Sequence, residues 1–286
     1  MITQVADFHR LESRLRMTGS LITRTALRIG AGDGEAVGVD LPVIKDALGQ
    51  PFIPGASLKG ALRSTIEALV RGADRGGEIW ACDPLARKDD ESRGAERSSA
   101  RTGAPSRHRV RPSTSCGFHK PGERGAVKLE EHCTVCRMFG SHVVASHIRF
   151  CDALLCRKTD RIPVEVRDGV SIDRDLRRVQ GSLKYDFEVV APGAEFAVEV
   201  FVENPQPWWM GLLAVGFDQL AEGFTALGGF TSRGLGRVAF IWSSIKVTTA
   251  RGLLRGERDE DLTGEQVAAR FQDWRGALTE LCKEAV

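Results

Sequence analysis

Gly228-Gly229-Phe230-Thr231-Ser232-Arg233-Gly234-Leu235-Gly236-Arg237 runs without a break into the strand-like residues 238–242. Closely spaced glycines permit positive φ, so consecutive backbone N–H groups can converge on an anion. Thr231, Ser232, Arg233 and Arg237 add side chains suited to phosphate oxygens. No Gly-Lys-Ser/Thr follows, so this is not a Walker loop. The loop precedes a strand and opens no helix, which makes it a poor dinucleotide fingerprint. Spacing alone leaves two equal alternatives: phosphate binding, or a tight turn packed against a neighbouring strand.

The elements on either side set the fold class. Leu15, Met17, Gly19 and Leu21 alternate with Arg14, Arg16, Thr18 and Ser20, the period of a half-buried strand. Pro54-Gly55-Ala56-Ser57 introduces a helix, with Ser57 predicted as N-cap and Leu58, Leu62, Ile66 and Leu69 on one face. Strand-like runs follow at 148–155, 185–190 and 196–202, with a polar hairpin-like stretch at 164–183. Pro205 and Pro207 precede a helix ending near Glu222. A capping box, Thr263-Gly264-Glu265-Gln266, opens a last helix that buries Val267, Phe271, Trp274, Leu278 and Leu281. Strands and helices mix without the regular alternation of a doubly wound sheet, so the expected class is α+β.

The chain has 286 residues, and its 42% hydrophobic content is enough for a core. A net charge of +2 is low for a free-standing nucleic-acid binder, so any case for RNA rests on where the arginines sit. The first seven residues show neither a basic leader nor an apolar stretch of signal-peptide length. No run approaches the roughly 20 apolar residues that span a bilayer. Seven cysteines, an odd count, fit a reducing compartment better than a disulfide framework. The expectation is a soluble cytoplasmic protein.

Residues 71–132 are rich in Arg, Ser, Gly and Asp and lack apolar periodicity, which reads as an insertion needing its own staple. It divides a core of residues 1–70 and 133–286. Cys133 and Cys136 have the knuckle spacing of a structural Zn²⁺ site, with Cys116 and Cys82 upstream. His108, His119 and His132 compete for the fourth ligand position. A redox Cys-x-x-Cys lacks its thioredoxin-like context, and unligated buried cysteines are the remaining alternative. Cys151, Cys156 and Cys282 read as core residues.

Gly30, Gly32, Gly34 and Gly38 form a glycine-rich stretch leading to Asp40. An aspartate before a proline-containing turn is ordinarily a solvated turn residue, and Asp33, Glu35 and Asp46 rival it by composition. Lys59 and Arg63, four apart, share a helix face near an N-terminus that favours phosphate. An ordinary solvated face is the alternative reading.

Three stretches in order change these odds. They are Gly38-Val39-Asp40-Leu41-Pro42-Val43-Ile44-Lys45-Asp46, Phe52-Ile53-Pro54-Gly55-Ala56-Ser57-Leu58-Lys59-Gly60-Ala61-Leu62-Arg63, and residues 228–237. Together they resemble the RAMP superfamily, and most nearly the repeated backbone subunit of type III CRISPR effectors of the Csm or Cmr kind. Cys133-Thr134-Val135-Cys136-Arg137-Met138-Phe139-Gly140 and Ser171-Ile172-Asp173-Arg174 are similar to that family as well.

The resemblance implies a modified ferredoxin-like (RRM-like) core with a thumb hairpin at about 164–183. Several copies or homologous neighbours would stack along a guide RNA (crRNA) with other effector subunits, and each thumb would splay a nucleotide from the guide–target duplex. It implies Asp40 as the catalytic aspartate of a target-RNA endoribonuclease. Cleavage would proceed by attack of the ribose 2′-OH, assisted by Mg²⁺. It implies RNA contacts at Ser57, Lys59, Arg63 and Arg174, and at Gly228, Gly229, Thr231, Ser232, Arg233, Gly234, Gly236 and Arg237. Three rival readings remain: a non-cleaving filament subunit, a guide-processing endoribonuclease with histidine bases, and a metabolic enzyme whose glycine loops bind a nucleotide.

Overall fold

The alternation at 14–21 does form a strand. β1 (Ser13–Thr23) buries Leu15, Met17, Leu21 and Thr23 and leaves Arg14 and Arg16 exposed. The structure, a computed structural model, describes residues 10–32, 38–73, 79–83, 116, 132–141, 143–156, 163–257 and 259–284. After β1 come β2 (Phe52–Ile53), α1 (Gly55–Ala73), α2 (Thr134–Phe139), β3 (Ile148–Phe150) and β4 (Ala153–Leu155). Then follow β5 (Val164–Ile172), β6 (Val179–Val190), β7 (Glu195–Glu203) and α3 (Pro207–Glu222). The chain ends with β8 (Val238–Thr249), α4 (Ala250–Arg255), β9 (Glu260–Thr263) and α5 (Glu265–Glu284).

The main sheet is antiparallel, in the order β2-β4-β7-β1-β8-β9, with β3 beside β4 on the same edge of β7. β1 lies at its centre, pairing Met17 with Val200 of β7 and with Ile245 of β8. Because both neighbours run against β1, they run parallel to each other, and α3 carries the chain from β7 across β1 to β8. In the same way α1 and the segment after it carry the chain from β1 across β7 to β3 and β4. The pairing with β8 slips at Thr18/Gly19. Gly19 is needed there, since a Cβ would lie 2.4 Å from the Ile241 carbonyl oxygen.

One sheet face supplies Leu15, Met17, Leu21, Phe196, Val198 and Val200 to a core shared with α1, α3 and α5. Leu58, Leu62 and Ile66 of α1 and Trp209, Leu213 and Phe217 of α3 are buried in it. Each such side chain contributes about 1.5–3 kcal/mol on leaving water. An aromatic chain continues across it, Phe217 to Trp242 at 4.8 Å and Phe271 to Trp274 at 5.1 Å between centroids. No helix among the described residues is long and apolar enough to cross a membrane.

Several expectations change in detail. α1 starts at Gly55, ahead of the expected cap Ser57, because the Gly55 N–H donates to Asp152 Oδ1 at 2.8 Å. Its buried row runs Leu58, Leu62, Ile66, Val70, with Leu69 exposed, and the helix passes residue 70 to end at Ala73. The run at 148–155 is two short strands, broken at Cys151 and Asp152 where the chain turns to reach that helix end. Residues 185–190 are not a separate strand: they belong to β6, the second arm of an antiparallel hairpin with β5 that pairs Val164 with Val190. Of the cysteines read as core, Cys282 is exposed and Cys151 and Cys156 are half-buried. Cys282 sits on the flank of the row Val267, Phe271, Trp274 that α5 buries.

Candidate active site

Asp40 opens a short extended segment clasped between two neighbours. On one side the Ile44 N–H donates to the Ile29 carbonyl at 2.9 Å, and the Ala31 N–H to Pro42 at 3.2 Å. On the other side Leu41 bridges Phe187 of β6. There the Leu41 N–H donates to the Asp186 carbonyl at 3.1 Å and the Glu188 N–H to the Leu41 carbonyl at 3.0 Å. The Asp40 carboxylate is exposed, and its Oδ2 accepts the Asp186 N–H at 2.9 Å. Asp46, its rival, has a turn to hold: its Oδ1 accepts from the N–H groups of Leu48 and Gln50, both at 2.9 Å. Asp33, Glu35 and Gly34 lie outside the described residues.

More acidic groups flank Asp40. Asp168 and Asp186 face each other across the hairpin, and Lys184 lies 3.3 Å from Asp168. The hydrogen bond between the two carboxyls raises Asp186 above the ordinary carboxylate range, and the nearby charge of Asp40 adds to this. The same bond lowers Asp168, with help from Lys184. Deeper in, Glu188 is nearly buried; its Oε2 accepts the Val43 N–H at 3.0 Å and its Oε1 meets Lys45 Nζ at 2.7 Å.

The glycine-rich loop comes to the same place. Ala26, Phe187, Val189 and Leu235 form a small second core, with Leu41, Tyr185 and Phe230 packed on it. Within the loop, Phe230 has φ +58° and Thr231–Arg233 make a single 3-10 turn closed by Gly234. The N–H groups of Gly229 and Gly236 donate to the carbonyls of Arg28 and Ala26, and those of Arg233 and Gly234 close the turn. A Cβ on Gly228 would lie 2.2 Å from the Arg28 carbonyl oxygen, and one on Gly236 2.2 Å from that of Leu227. The glycines therefore serve close packing, and the face offered to a ligand is that of exposed Thr231, Ser232 and Arg233. Arg233 lies 4.6 Å above the Phe230 ring and donates to the Tyr185 hydroxyl. Arg237 is exposed, its side chain running past Gly223.

Arg28 belongs to this group, although residue patterning alone did not single it out. Its guanidinium lies 5.0 Å from the Phe230 centroid, so two arginines contact one ring. Its buried Nε has no hydrogen-bond partner among the described residues, and burial lowers the pKa of the group. The available signal was one basic residue inside the apolar run Ala26-Leu27-Arg28-Ile29, directly ahead of the first glycines.

The remaining expected contacts lie elsewhere. Arg174 is exposed at the hairpin tip, where Asp173 Oδ1 accepts the N–H groups of Asp175 and Leu176. Ser57 is half-buried in the first turn of α1, and Lys59 is held below its usual pKa by burial and by the charge of Arg63. Arg63 is half-buried and engaged within the protein. It donates to Glu67 at 2.8 Å, to the Gly140 carbonyl at 3.0 Å and to Cys136 Sγ at 3.4 Å.

Cys136 belongs to a cluster with Cys82, Cys116 and Cys133 whose sulfurs all lie within 4.8 Å of one another. Four thiolates around zinc at about 2.3 Å would stand about 3.8 Å apart, so the set fits with little adjustment. Backbone N–H groups already point at sulfur, Cys133 N to Cys116 Sγ at 3.1 Å and Cys136 N to Cys133 Sγ at 3.3 Å. Hydrogen bonds from the Cys116 and Cys136 thiols lower the Cys133 thiol far below its ordinary range. His132 is not part of this cluster, and its Nε2 meets Ser141 Oγ at 3.1 Å. His108 and His119 lie outside the described residues, as do Arg107, Arg109, Arg111 and most of the insertion. These cysteines can hold a metal such as zinc.

Residues 20–239 match the sequence model of the RAMP superfamily. The chain belongs to that superfamily. The match takes in the Asp40 segment, α1, the hairpin and the glycine loop of this RAMP protein. It is 29% identical over 283 residues to a "CRISPR system Cms endoribonuclease Csm3" of Mycobacterium tuberculosis, covering 90% of this chain and 98% of that one. A protein of the same name from Methanothermobacter thermautotrophicus is 37% identical over 71 residues, 24% of this chain and 29% of that one.

Proposed function

We propose that this RAMP protein is a guide-RNA-binding backbone subunit of a type III CRISPR effector, of the Csm kind, and that it cleaves the bound target RNA with Asp40. The observation that carries the reading is the exposed Asp40 carboxylate, held by the Asp186 N–H partway along the β5–β6 hairpin, where the adjacent Tyr185 hydroxyl accepts from Arg233. Similarity along 98% of a protein named as an endoribonuclease supports the activity. The strand order β8-β1-β7-β3/β4, with α1 and α3 as crossovers, supports a ferredoxin-like core. The thumb is then the whole β5–β6 hairpin, Val164–Ile172 with Val179–Val190.

In this reading Arg28, Arg233, Arg237, Thr231, Ser232 and Lys59 meet RNA phosphates. Such contacts are indifferent to sequence and sensitive to salt, as a programmable guide requires. Arg174 meets RNA from the hairpin tip. Gly228, Gly229, Gly234 and Gly236 shape the loop, Ser57 lies in the first turn of α1, and Arg63 ties that helix to Gly140 and the cysteine cluster. Exposed apolar side chains on the hairpin, Ile172 and Leu176 among them, suit insertion beside an unstacked nucleotide. Asp40 then faces a distorted linkage, where it can accept the 2′-OH proton as that oxygen attacks the adjacent phosphorus and the P–O5′ bond breaks, leaving a 2′,3′-cyclic phosphate and a 5′-hydroxyl. Asp40, with RNA oxygens, could hold a Mg²⁺, which would neutralise the phosphoryl charge. Zn²⁺ on Cys82, Cys116, Cys133 and Cys136 has a structural part only.

Among the described residues the histidines are His132 and His147, both buried and engaged within the fold, so these two lend no support to the histidine-dependent alternative. The test is reconstitution of the assembled complex with guide, target RNA and Mg²⁺. Asp40→Ala is expected to slow the regularly spaced cuts by about 10²–10⁴-fold while target binding stays. Cutting that survives the substitution removes Asp40 from the mechanism.

A further inference from the structure

We infer that the Lys45–Glu188 ion pair is the positioning device for cleavage: it clips the Asp40 segment to the hairpin arm, so that hairpin and carboxylate move as one piece. The inference rests on the reading of Asp40 as the cutting group and adds residues to which no role has been given. Among the described residues the Asp40 side chain is held by its Oδ2 on the Asp186 N–H, at an exposed position where water competes. The firm attachment lies a few residues on. Glu188 Oε2 takes the Val43 N–H at 3.0 Å, Glu188 Oε1 takes Lys45 Nζ at 2.7 Å, and only 10% of the Glu188 side chain is exposed.

Glu188 and Asp186 are on the same strand, two residues apart, and so point the same way from β6. One strand therefore fixes both ends of the segment: Asp186 through its backbone at Asp40, and Glu188 through its side chain at Val43 and Lys45. Between them Leu41 pairs with Phe187. A shift of β6 carries the Asp40 carboxylate with it. The cutting group thereby follows the element expected to lie beside the target nucleotide, and keeps its distance to the distorted linkage in each copy. A mis-set by about 1 Å can cost about 10²-fold in rate, whereas guide binding by the glycine loop does not pass through this clip.

Single-turnover cleavage by the assembled complex tests this. Glu188→Ala is expected to lower the cleavage rate constant by about 10- to 100-fold, with guide content and target affinity unchanged. The conservative Glu188→Gln, whose amide oxygen can still accept the Val43 N–H, should recover part of the loss, which a merely damaged fold would not do. In the Asp40→Ala background Glu188→Ala should bring no further loss, since it acts through Asp40. Wild-type cutting rates in Glu188→Ala, alongside a dead Asp40→Ala complex, would overturn the clip and leave the Asp40 reading standing. Cutting that survives Asp40→Ala would overturn both. Guide binding that falls in step with cleavage in Glu188→Ala would also overturn the clip.

Discussion

Gly228 and Gly234 share a φ of +84° but not their surroundings. A Cβ at Gly234 would meet nothing within 4 Å, while at Gly228 it would strike the Arg28 carbonyl oxygen at 2.2 Å. Gly234→Ala therefore incurs left-handed strain alone, about 1–2 kcal/mol. Gly228→Ala adds a backbone clash that must push the loop and Phe230 off the second core, and should lose at least about 3 kcal/mol. Urea denaturation of the two variants measures the difference; equal losses would show that the loop relocates at no cost. The glycine spacing was readable, but its meaning was not. Which glycine is needed depends on the carbonyls of Arg28 and Leu227, brought alongside by packing between distant segments. The choice of Asp40 over Asp46 has the same character at shorter range: Asp46 is occupied by the turn at Leu48 and Gln50. Composition alone could not show that.

At the scale of elements, periodicity found β1, α1 and α5, because each buries one face on the same core, and two prolines marked the start of the more fully buried α3. Their ends were harder to find wherever a long-range partner decides them. Ser57 had the right chemistry for a cap, yet α1 begins at Gly55 because Asp152, distant in the chain, accepts the Gly55 N–H at 2.8 Å. Gly55 suits the spot, since a Cβ there would lie 2.3 Å from the Phe150 carbonyl oxygen. The same contact breaks the run at 148–155 into β3 and β4. Asp152→Ala should then lose about 1 kcal/mol, and Ser57→Ala should stay within about 0.5 kcal/mol of wild type. Chemical denaturation of the pair decides it, and the opposite order would return the cap to Ser57. The hairpin was foreseen but cut short at 183, since residues 185–190 alternate as any half-buried strand does. Only their pairing with β5 shows that they continue the arm.

For the molecule as a whole, the sheet order lay beyond local pattern. β1 pairs with strands more than 170 residues away, and nothing in its own alternation names β7 and β8 as its neighbours. The cysteine cluster was legible in the sequence: Cys133-x-x-Cys136 announces itself by spacing, and Cys82 and Cys116 stood upstream as candidates with three histidines as rivals, while their convergence on α2 is a matter of long-range folding. The cluster is also wired into α1. Arg63 donates to Cys136 Sγ, Arg71 donates to the Cys82 carbonyl at 3.1 Å, and the nearly buried Glu67 accepts from both arginines. Four thiolates around Zn²⁺ carry net charge −2, so Arg63 sits where it offsets that charge. Metal removal leaves the sulfurs crowded with no cation between them and weakens the hold on the second half of α1. The purified chain should hold about one zinc per molecule, and stripping it with a strong chelator should lower Tm by about 10 °C. Hydrogen exchange should rise first at the α1 amides from Arg63 to Arg71, with the β1–β7 ladder protected until global unfolding. A zinc-free chain of unchanged Tm, or faster exchange spread evenly over the sheet, would mean that the cysteines do not staple this helix to the core.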